Sequence, residues 1–392
     1  MRDFVYYTPT EVVFGKDSEA QIAALVKKHG GSKVLVHYGG QSAIRSGLLA
    51  KVESQLKEQG IAYVCLGGVV PNPRLSLVKE GIALCQQEGV DFILAVGGGS
   101  VIDSSKAIAY GLCYDGDVWD FFCGKAVAQA AMPIGVVLTI PAAGSEMSDS
   151  CVITNEDGDI KRGYSSNVIR CKFAVMNPER TYTLPAYQTA CGAVDIMMHT
   201  MERYFSPDTD MALTDALAEG LLRVVKDSAY KLLADPQDYN ARAQIMWASS
   251  LAHNDLTGCG MKSDFATHKL EHELSALFDV AHGAGLAAVW GSWARYVVDA
   301  NPDRFAQFAV NVMGVCACDD PRATAIAGIE AMEAFYKDIA MPVSIKELLG
   351  REVSDEEISL MADKCSRDGS LIIGSFKKLD RQDMVNIYLA AK

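Results

Sequence analysis

The hydrophobic pattern of this chain changes character near residue 185, and that change narrows the folds open to it more than any other feature. Before it, short apolar runs alternate with stretches of helical period. Lys33-Val-Leu-Val-His37 reads as a buried strand, followed by Gly39-Gly40 and an amphipathic stretch from Ser42 to Gln59. Ile61 to Leu66 is a second apolar run, ended by Gly67-Gly68 and Pro71-Asn72-Pro73. A helical pattern from Leu75 to Glu88 leads into Phe92-Ile-Leu-Ala-Val96 and then Gly97-Gly98-Gly99-Ser100. Ile134 to Ile140 closes the series, and Phe4 to Phe14 reads as a short β element around Pro9. Strands and helices in this rhythm predict a parallel sheet wrapped by helices. After Pro185 apolar residues recur at helical spacing, as in Met211–Leu233, Ala241–Leu256, His268–Phe278 and Thr324–Lys337, and strand-like runs nearly vanish. The expected fold class is an α/β N-terminal domain with a Rossmann-like parallel sheet over residues 1–185, followed by an all-α helical domain over 186–392.

A chain of 392 residues is long for one core, which agrees with two domains. The net charge of −13 argues against nucleic acid or an anionic membrane surface as partner, since both demand basic patches. No apolar run reaches the ~20 residues needed to span a bilayer, and Met1-Arg-Asp-Phe-Val-Tyr-Tyr7 lacks the apolar core of a secretory leader. Eleven cysteines at irregular spacing, without a C-x-x-C pair, fit reduced thiols in a cytoplasmic protein. Any anionic cofactor must then be held by local devices.

Gly97-Gly98-Gly99-Ser100 is such a device. It sits where a strand ends and a helix begins, so the backbone can approach a phosphate closely and the helix N-terminus can offer its N–H groups. Val101 and Ile102 should open that helix, with Ser100 and Asp103 at capping-pair spacing. The spacing is not G-x-G-x-x-G, so the usual dinucleotide fingerprint is absent. A carboxylate at the end of the neighbouring strand would bind the ribose 2′-hydroxyl of NAD and repel the 2′-phosphate of NADP. Here Tyr38-Gly39-Gly40-Gln41-Ser42 carries no acid, so NADP(H) is favoured over NAD(H).

Asp195-x-x-x-His199, His268-x-x-x-His272 and His282-Gly283 form the second constellation. Residues four apart share one helix face, so Asp195 and His199 can grip one ion from consecutive turns. One carboxylate with neutral imidazoles suits a single borderline divalent ion, Fe(II) or Zn(II), better than an all-oxygen site for Ca(II) or Mg(II). One unbroken helix from His268 to His282 would separate them by about 21 Å, so a break is expected between them, near Asp279 to Gly283. Spacing leaves open whether His268 or His272 joins Asp195, His199 and His282. The histidine left over would stand beside the ion or move protons. His29, His37 and His253 read as ordinary core or surface residues.

With these motifs quoted, the chain resembles the iron-containing (group III) alcohol dehydrogenases, in the branch of butanol dehydrogenases and broad-range aldehyde reductases. Besides the constellations above, Pro71-Asn72-Pro73, Gly97-Gly98-Gly99-Ser100-Val-Ile-Asp103 and Leu138-Thr139-Ile-Pro-Ala-Ala143-Gly144-Ser145-Glu146 carry the resemblance, which spans essentially the whole length. It implies Asp195, His199, His268 and His282 as metal ligands, with His272 beside the site without binding metal, where it could relay the proton between alkoxide and solvent. It also implies Gly39, Gly40, Ser42, Asn72, Gly97, Gly98, Gly99, Ser100, Asp103, Thr139 and Lys161 as the dinucleotide contacts. The implied activity is hydride transfer between NAD(P)(H) and a small alcohol or aldehyde such as butanol or butyraldehyde, in a homodimer. Ala143 stands where the family usually has threonine, which removes one hydroxyl contact. Glycerol dehydrogenases and dehydroquinate synthases share the architecture and are the nearest alternatives; a metal-dependent hydrolase is the alternative outside nicotinamide chemistry.

Overall fold

The computed structural model describes residues 1–392. The chain divides into two compact units, Tyr7–Thr183 and Leu184–Lys392 joined by Met1–Tyr6. The boundary falls close to the one expected from periodicity, but the first six residues pack with the helical unit. Arg2 explains why: its backbone N–H donates to the Gly260 carbonyl at 2.9 Å and its guanidinium meets Asp208 at 2.6 Å.

The first unit contains, in order, β1 (Glu11–Phe14), α1 (Ile22–Lys28), β2 (Lys33–Tyr38), α2 (Gln41–Arg45), α3 (Leu48–Glu58), β3 (Ala62–Leu66) and α4 (Leu75–Glu88). β4 (Phe92–Gly97), α5 (Gly99–Gly111), α6 (Trp119–Phe122), β5 (Ile134–Leu138), β6 (Ser150–Asn155), β7 (Ile160–Ser165) and β8 (Phe173–Met176) complete it. Six strands form one sheet in the order β1-β8-β5-β4-β2-β3, every pair parallel. All six residues of β4 and all five of β5 are buried, as expected of central strands covered on both faces. Burying each Val, Ile or Leu there contributes roughly 1.5–3 kcal/mol. The chain runs from β2 to β3 on one side and then to β4 on the other. The topological switch point of the sheet therefore lies between β2 and β4.

Three details differ from the sequence reading. The β element expected over Phe4 to Phe14 is confined to Glu11–Phe14, because the residues before it belong to the other unit or pair only through Thr10 Oγ1–H donating to the Cys171 carbonyl. The stretch from Ser42 to Gln59 is two helices, broken at Gly47, whose φ of +72° ends α2 and caps α3. β6 and β7 form an antiparallel hairpin that periodicity did not reveal.

The second unit is helical: α7 (Ala186–Tyr204), α8 (Ala212–Ala234), α9 (Tyr239–His253), α10 (Ala266–Phe278), α11 (His282–Val297), α12 (Pro302–Phe308), α13 (Pro321–Asp338), α14 (Ile345–Leu349), α15 (Asp355–Ser366) and α16 (Arg381–Ala391). Its core gathers Met197, Leu270, Leu274, Trp290, Trp293, Phe305, Phe308 and Tyr336, all 1% exposed or less. The helix expected to break near Asp279 does so: Asp279 adopts a left-handed φ of 51°, donates its N–H to the Ser275 carbonyl and ends α10, and His282 opens α11. No helix is long and apolar enough to cross a membrane. All eleven cysteines are free thiols.

Candidate metal centre and dinucleotide site

In the helical unit, α7 carries Asp195 and His199 on one face, α10 brings His268, and the first residue of α11 is His282. α11 reaches α7 this closely because residue 283 is glycine. A Cβ there would stand 2.7 Å from the Cys191 carbonyl carbon and 2.8 Å from its Cα, and would overlap the carbonyl oxygen. Donor atoms of Asp195, His268 and His282 lie within 4.8 Å of one another. Asp195 Oδ1 is 3.9 Å from His268 Nε2 and 3.8 Å from His282 Nε2. Both Asp195 Oδ1 and His268 Nε2 are buried without a hydrogen-bond partner. Buried polar atoms left in this state cost about 1–3 kcal/mol each, so native structures keep them for a reason.

His199 stands at the edge of this triad. Its Nδ1 is 2.9 Å from both Asp195 Oδ1 and the Asp195 backbone carbonyl, and its proton is directed at the carbonyl, which leaves Oδ1 without an aligned donor. Its ring lies 4.5 Å from that of His268, centroid to centroid. His272 sits beside His282, its ring 5.8 Å away and partly accessible, and donor atoms of Glu271, His272 and His282 form a second group within 4.8 Å of one another.

The electrostatics are those of a site built for a cation. Burial works against charge on Asp195, yet His199 and His282 opposite hold its carboxyl well below the usual range. Burial pushes the His199 imidazole down to about 4. Burial also opposes charge on His268, but Asp195 and Glu202 override it and raise the imidazole to about 9. A single carboxylate with imidazole nitrogens, close together and short of partners, fits one borderline divalent ion. Asp195, His268 and His282 could hold it as they stand, with His199 adjacent.

Sequence reasoning missed three residues here. Glu202 contacts His268, Glu271 contacts His282, and the ring of His253 lies 4.1 Å from that of His199. Glu202 was within reach: with Asp195 and His199 it completes an i, i+4, i+7 face.

In the α/β unit, the two glycine turns follow paired strands. Tyr38 at the end of β2 is in register with Val96 of β4, so Gly39–Ser42 and Gly97–Ser100 lie side by side at the carboxyl edge of the switch point. Open α/β sheets bind their ligands there. α5 begins at Gly99 with Gly98 as N-cap and no side-chain cap, so the capping pair expected of Ser100 and Asp103 does not form. The three glycines are small for lack of space rather than for a positive φ. A Cβ on Gly98 would meet Ile140 at 3.0 Å and one on Gly99 would meet Ala143 at 3.1 Å. Thr139 joins the same edge through its N–H, which donates to the Gly97 carbonyl at 3.0 Å.

Asn72 and Lys161, distant in sequence, meet: Lys161 Nζ donates to Asn72 Oδ1 at 3.0 Å, and both are buried. Asn72 holds a left-handed φ of 54°, a conformation that costs a non-glycine residue on the order of 1 kcal/mol and that the lysine contact helps to fix. Asp103 is held by protein groups. Its Oδ1 accepts from Ser145 Oγ at 2.6 Å and its Oδ2 from the Val152 N–H at 2.9 Å. Lys106, fully buried on the same helix, donates to the carbonyls of Ser145, Ser148 and Ser150. Asp103 and Lys106 together brace the loop after β5 and the start of β6.

Comparison with known proteins agrees with this geometry. Residues 9–178 match the family described as "Iron-containing alcohol dehydrogenase", and residues 189–392 match "Fe-containing alcohol dehydrogenase family, C-terminal". The chain belongs to the iron-containing alcohol dehydrogenase family. Among its relatives in this family, the NADH-dependent butanol dehydrogenase A of Clostridium acetobutylicum is 38% identical, with 99% of each chain covered. An NADPH-dependent aldehyde reductase of Escherichia coli is 33% identical, over 99% of this chain and 95% of the other. The crystal structure of an NADH-dependent butanol dehydrogenase A from Thermotoga maritima superposes with a TM-score of 0.95 at 38% identity, covering 100% of this chain and 99% of that one. An iron-containing alcohol dehydrogenase with this sheet and these helices is an oxidoreductase, and the parallel sheet followed by a helical unit is the family's architecture.

Proposed function

We propose that this enzyme transfers hydride between NADP(H) and a small primary alcohol or aldehyde such as butanol and butyraldehyde. The observation that carries the reading is the convergence of Asp195, His268 and His282 on one point, with Asp195 Oδ1 and His268 Nε2 unpartnered. These three residues, with His199, would hold a single divalent ion, Fe(II) or Zn(II). When bound, that ion and the nicotinamide supply a Lewis acid for the carbonyl or alkoxide oxygen and the hydride itself. The chain's own residues do the remaining work. Gly97, Gly98, Gly99 and Ser100 would take the pyrophosphate at the N-terminus of α5. Gly39, Gly40 and Ser42 would flank the ribose, with Thr139 and the Asn72–Lys161 pair fixing the edges of that site. Asp103 supports the site indirectly, through the loop it braces. His272, beside His282 and partly accessible, would hold and pass the proton that the substrate oxygen gains on reduction.

The test is reconstitution of metal-stripped protein with Fe(II) or Zn(II), followed by nicotinamide absorbance with butyraldehyde and with butanol. Net cofactor consumption is expected, and its absence with every aldehyde of a short-chain panel would sink the reading.

The cofactor preference has its own test. Relatives named for NADH and for NADPH both occur, so the preference rests on the residues after β2. A Cβ at Gly39 would meet the Val69 carbonyl at 3.4 Å and Val101 Cγ2 at 3.6 Å, ordinary contacts, so the backbone there admits the Cβ of Gly39→Asp. Its carboxylate would repel a 2′-phosphate. The variant should shift the ratio of NADPH to NADH affinity toward NADH by about tenfold or more, equivalent to about 1.4 kcal/mol. A wild-type protein that already binds NADH more tightly would overturn the NADP assignment. The same reading carries a cytoplasmic homodimer, which light scattering of the purified protein would check.

A further inference from the structure

An imidazole offers a metal one nitrogen, and the partner of its other nitrogen decides which one and where it points. The Nδ1 atoms of His199, His268 and His282 are all engaged. His199 Nδ1 donates to the Asp195 carbonyl. His268 Nδ1 lies 3.1 Å from Glu202 Oε1, and the same oxygen accepts the His268 backbone N–H at 2.9 Å. One carboxylate oxygen thus fixes both the ring and the first turn of α10. His282 Nδ1 is in a very short contact with Glu271 Oε2, while Glu271 Oε1 accepts from Ser275 Oγ. Glu271 is 0% exposed and Glu202 is 2% exposed. Room for Glu271 is built in: a Cβ at Gly285 would stand 2.7 Å from its Oε1 and 2.9 Å from its Cγ. The Nε2 atoms of His268 and His282 are left facing Asp195 Oδ1, at 3.9 Å and 3.8 Å.

We propose that Glu202 and Glu271 are positioning residues that lock His268 and His282 as Nδ1–H tautomers and raise the affinity of their Nε2 atoms for a divalent cation. The inference rests on the metal-centre reading above. Two features make the glutamates more than packing. Burying a carboxylate is expensive unless it is paired, so an apolar residue would be the cheaper way to fill either position. A carboxylate behind a ligating histidine also increases the basicity of the nitrogen in front. Glu202 and Glu271 add two buried carboxylates behind the histidines to that of Asp195 in front of them, and a divalent ion at the facing nitrogens is the natural counter-charge.

The test compares wild type, Glu202→Gln and Glu271→Gln, each stripped of metal, titrated with Co(II) against a competing chelator, and read by visible absorption. Glutamine keeps the size and an acceptor oxygen but removes the charge. Each variant should bind Co(II) about 10–100-fold more weakly, with altered visible bands. A purely structural role would lower the thermal midpoint of the metal-free variants and leave the Co(II) constant and spectrum at wild-type values; that result overturns the proposal. Should a variant fail to fold, ¹⁵N-histidine NMR of the wild-type Zn(II) protein decides. Protonated Nδ1 on both His268 and His282 supports the proposal, and an Nε2–H tautomer on either overturns it. Wild type that takes up no Co(II) would remove the metal-centre reading and this inference together. Wild-type uptake with unaltered variants removes only the inference.

Discussion

His268→Ala is expected to leave a folded protein that retains no divalent cation and reduces aldehyde at least about a thousandfold more slowly, the rate equivalent of about 4 kcal/mol. The substitution deletes a donor whose Nε2 is aimed at Asp195 and partnered by nothing else. The scaffold should survive because Glu202 Oε1 keeps its second bond, to the backbone N–H of residue 268. Metal content by elemental analysis, circular dichroism and turnover with butyraldehyde would be measured on one preparation. Wild-type turnover with wild-type metal content would refute the role assigned to this histidine.

Gly283→Ala should be the most damaging single methyl in the helical unit. The three atoms nearest the new Cβ are all backbone of Cys191, so rotating a side chain cannot relieve the overlap and α11 itself must lift from α7. Overpacking of this kind costs about 1–3 kcal/mol, and the upper end is expected where helix backbones must part. Urea unfolding of the metal-free protein would report the loss. Because His282 is the preceding residue, cation affinity should weaken in the same variant. An unchanged unfolding midpoint would show that α11 is not held against α7 as the structure has it.

Much of this architecture was legible before any coordinates. The pattern from Leu75 to Glu88 is α4 to the residue, and the break expected near Asp279 is where α10 gives way to α11. Both were readable because the apolar period was long and the break was forced by ligand geometry. Gly47 was not readable as a helix break, since a lone glycine inside a periodic stretch is as often tolerated as not, and only its left-handed φ distinguishes it. The β6–β7 hairpin hid for another reason. Its sequence, Ser150–Asn155 and Ile160–Ser165, carries few apolar residues, although Asp157-Gly158 is a turn signal.

At the site, the i, i+4 spacing brought Asp195 with His199 and His268 with His272 into view, because side chains on consecutive turns leave a periodic trace; the choice of His268 over His272 came only from the family resemblance. Spacing could not show that the Asp103 carboxylate accepts from Ser145 in the loop after β5 and from Val152 in β6. Nor could it see Glu271, since its tie to His282 crosses the very turn that breaks the helix.

The sheet order has a consequence for how the chain comes into being. β1, made first, pairs with β8, and β8 in turn fills the edge of β5. On the ribosome, the outer rim of β5 therefore stays bare until Phe173–Met176 has emerged, and the opening strand waits for nearly the whole unit to be synthesised. Contacts of such long sequence separation are slow to form and leave apolar edges open meanwhile. The growing polypeptide is thus most prone to aggregate, and most in need of a chaperone, during that interval.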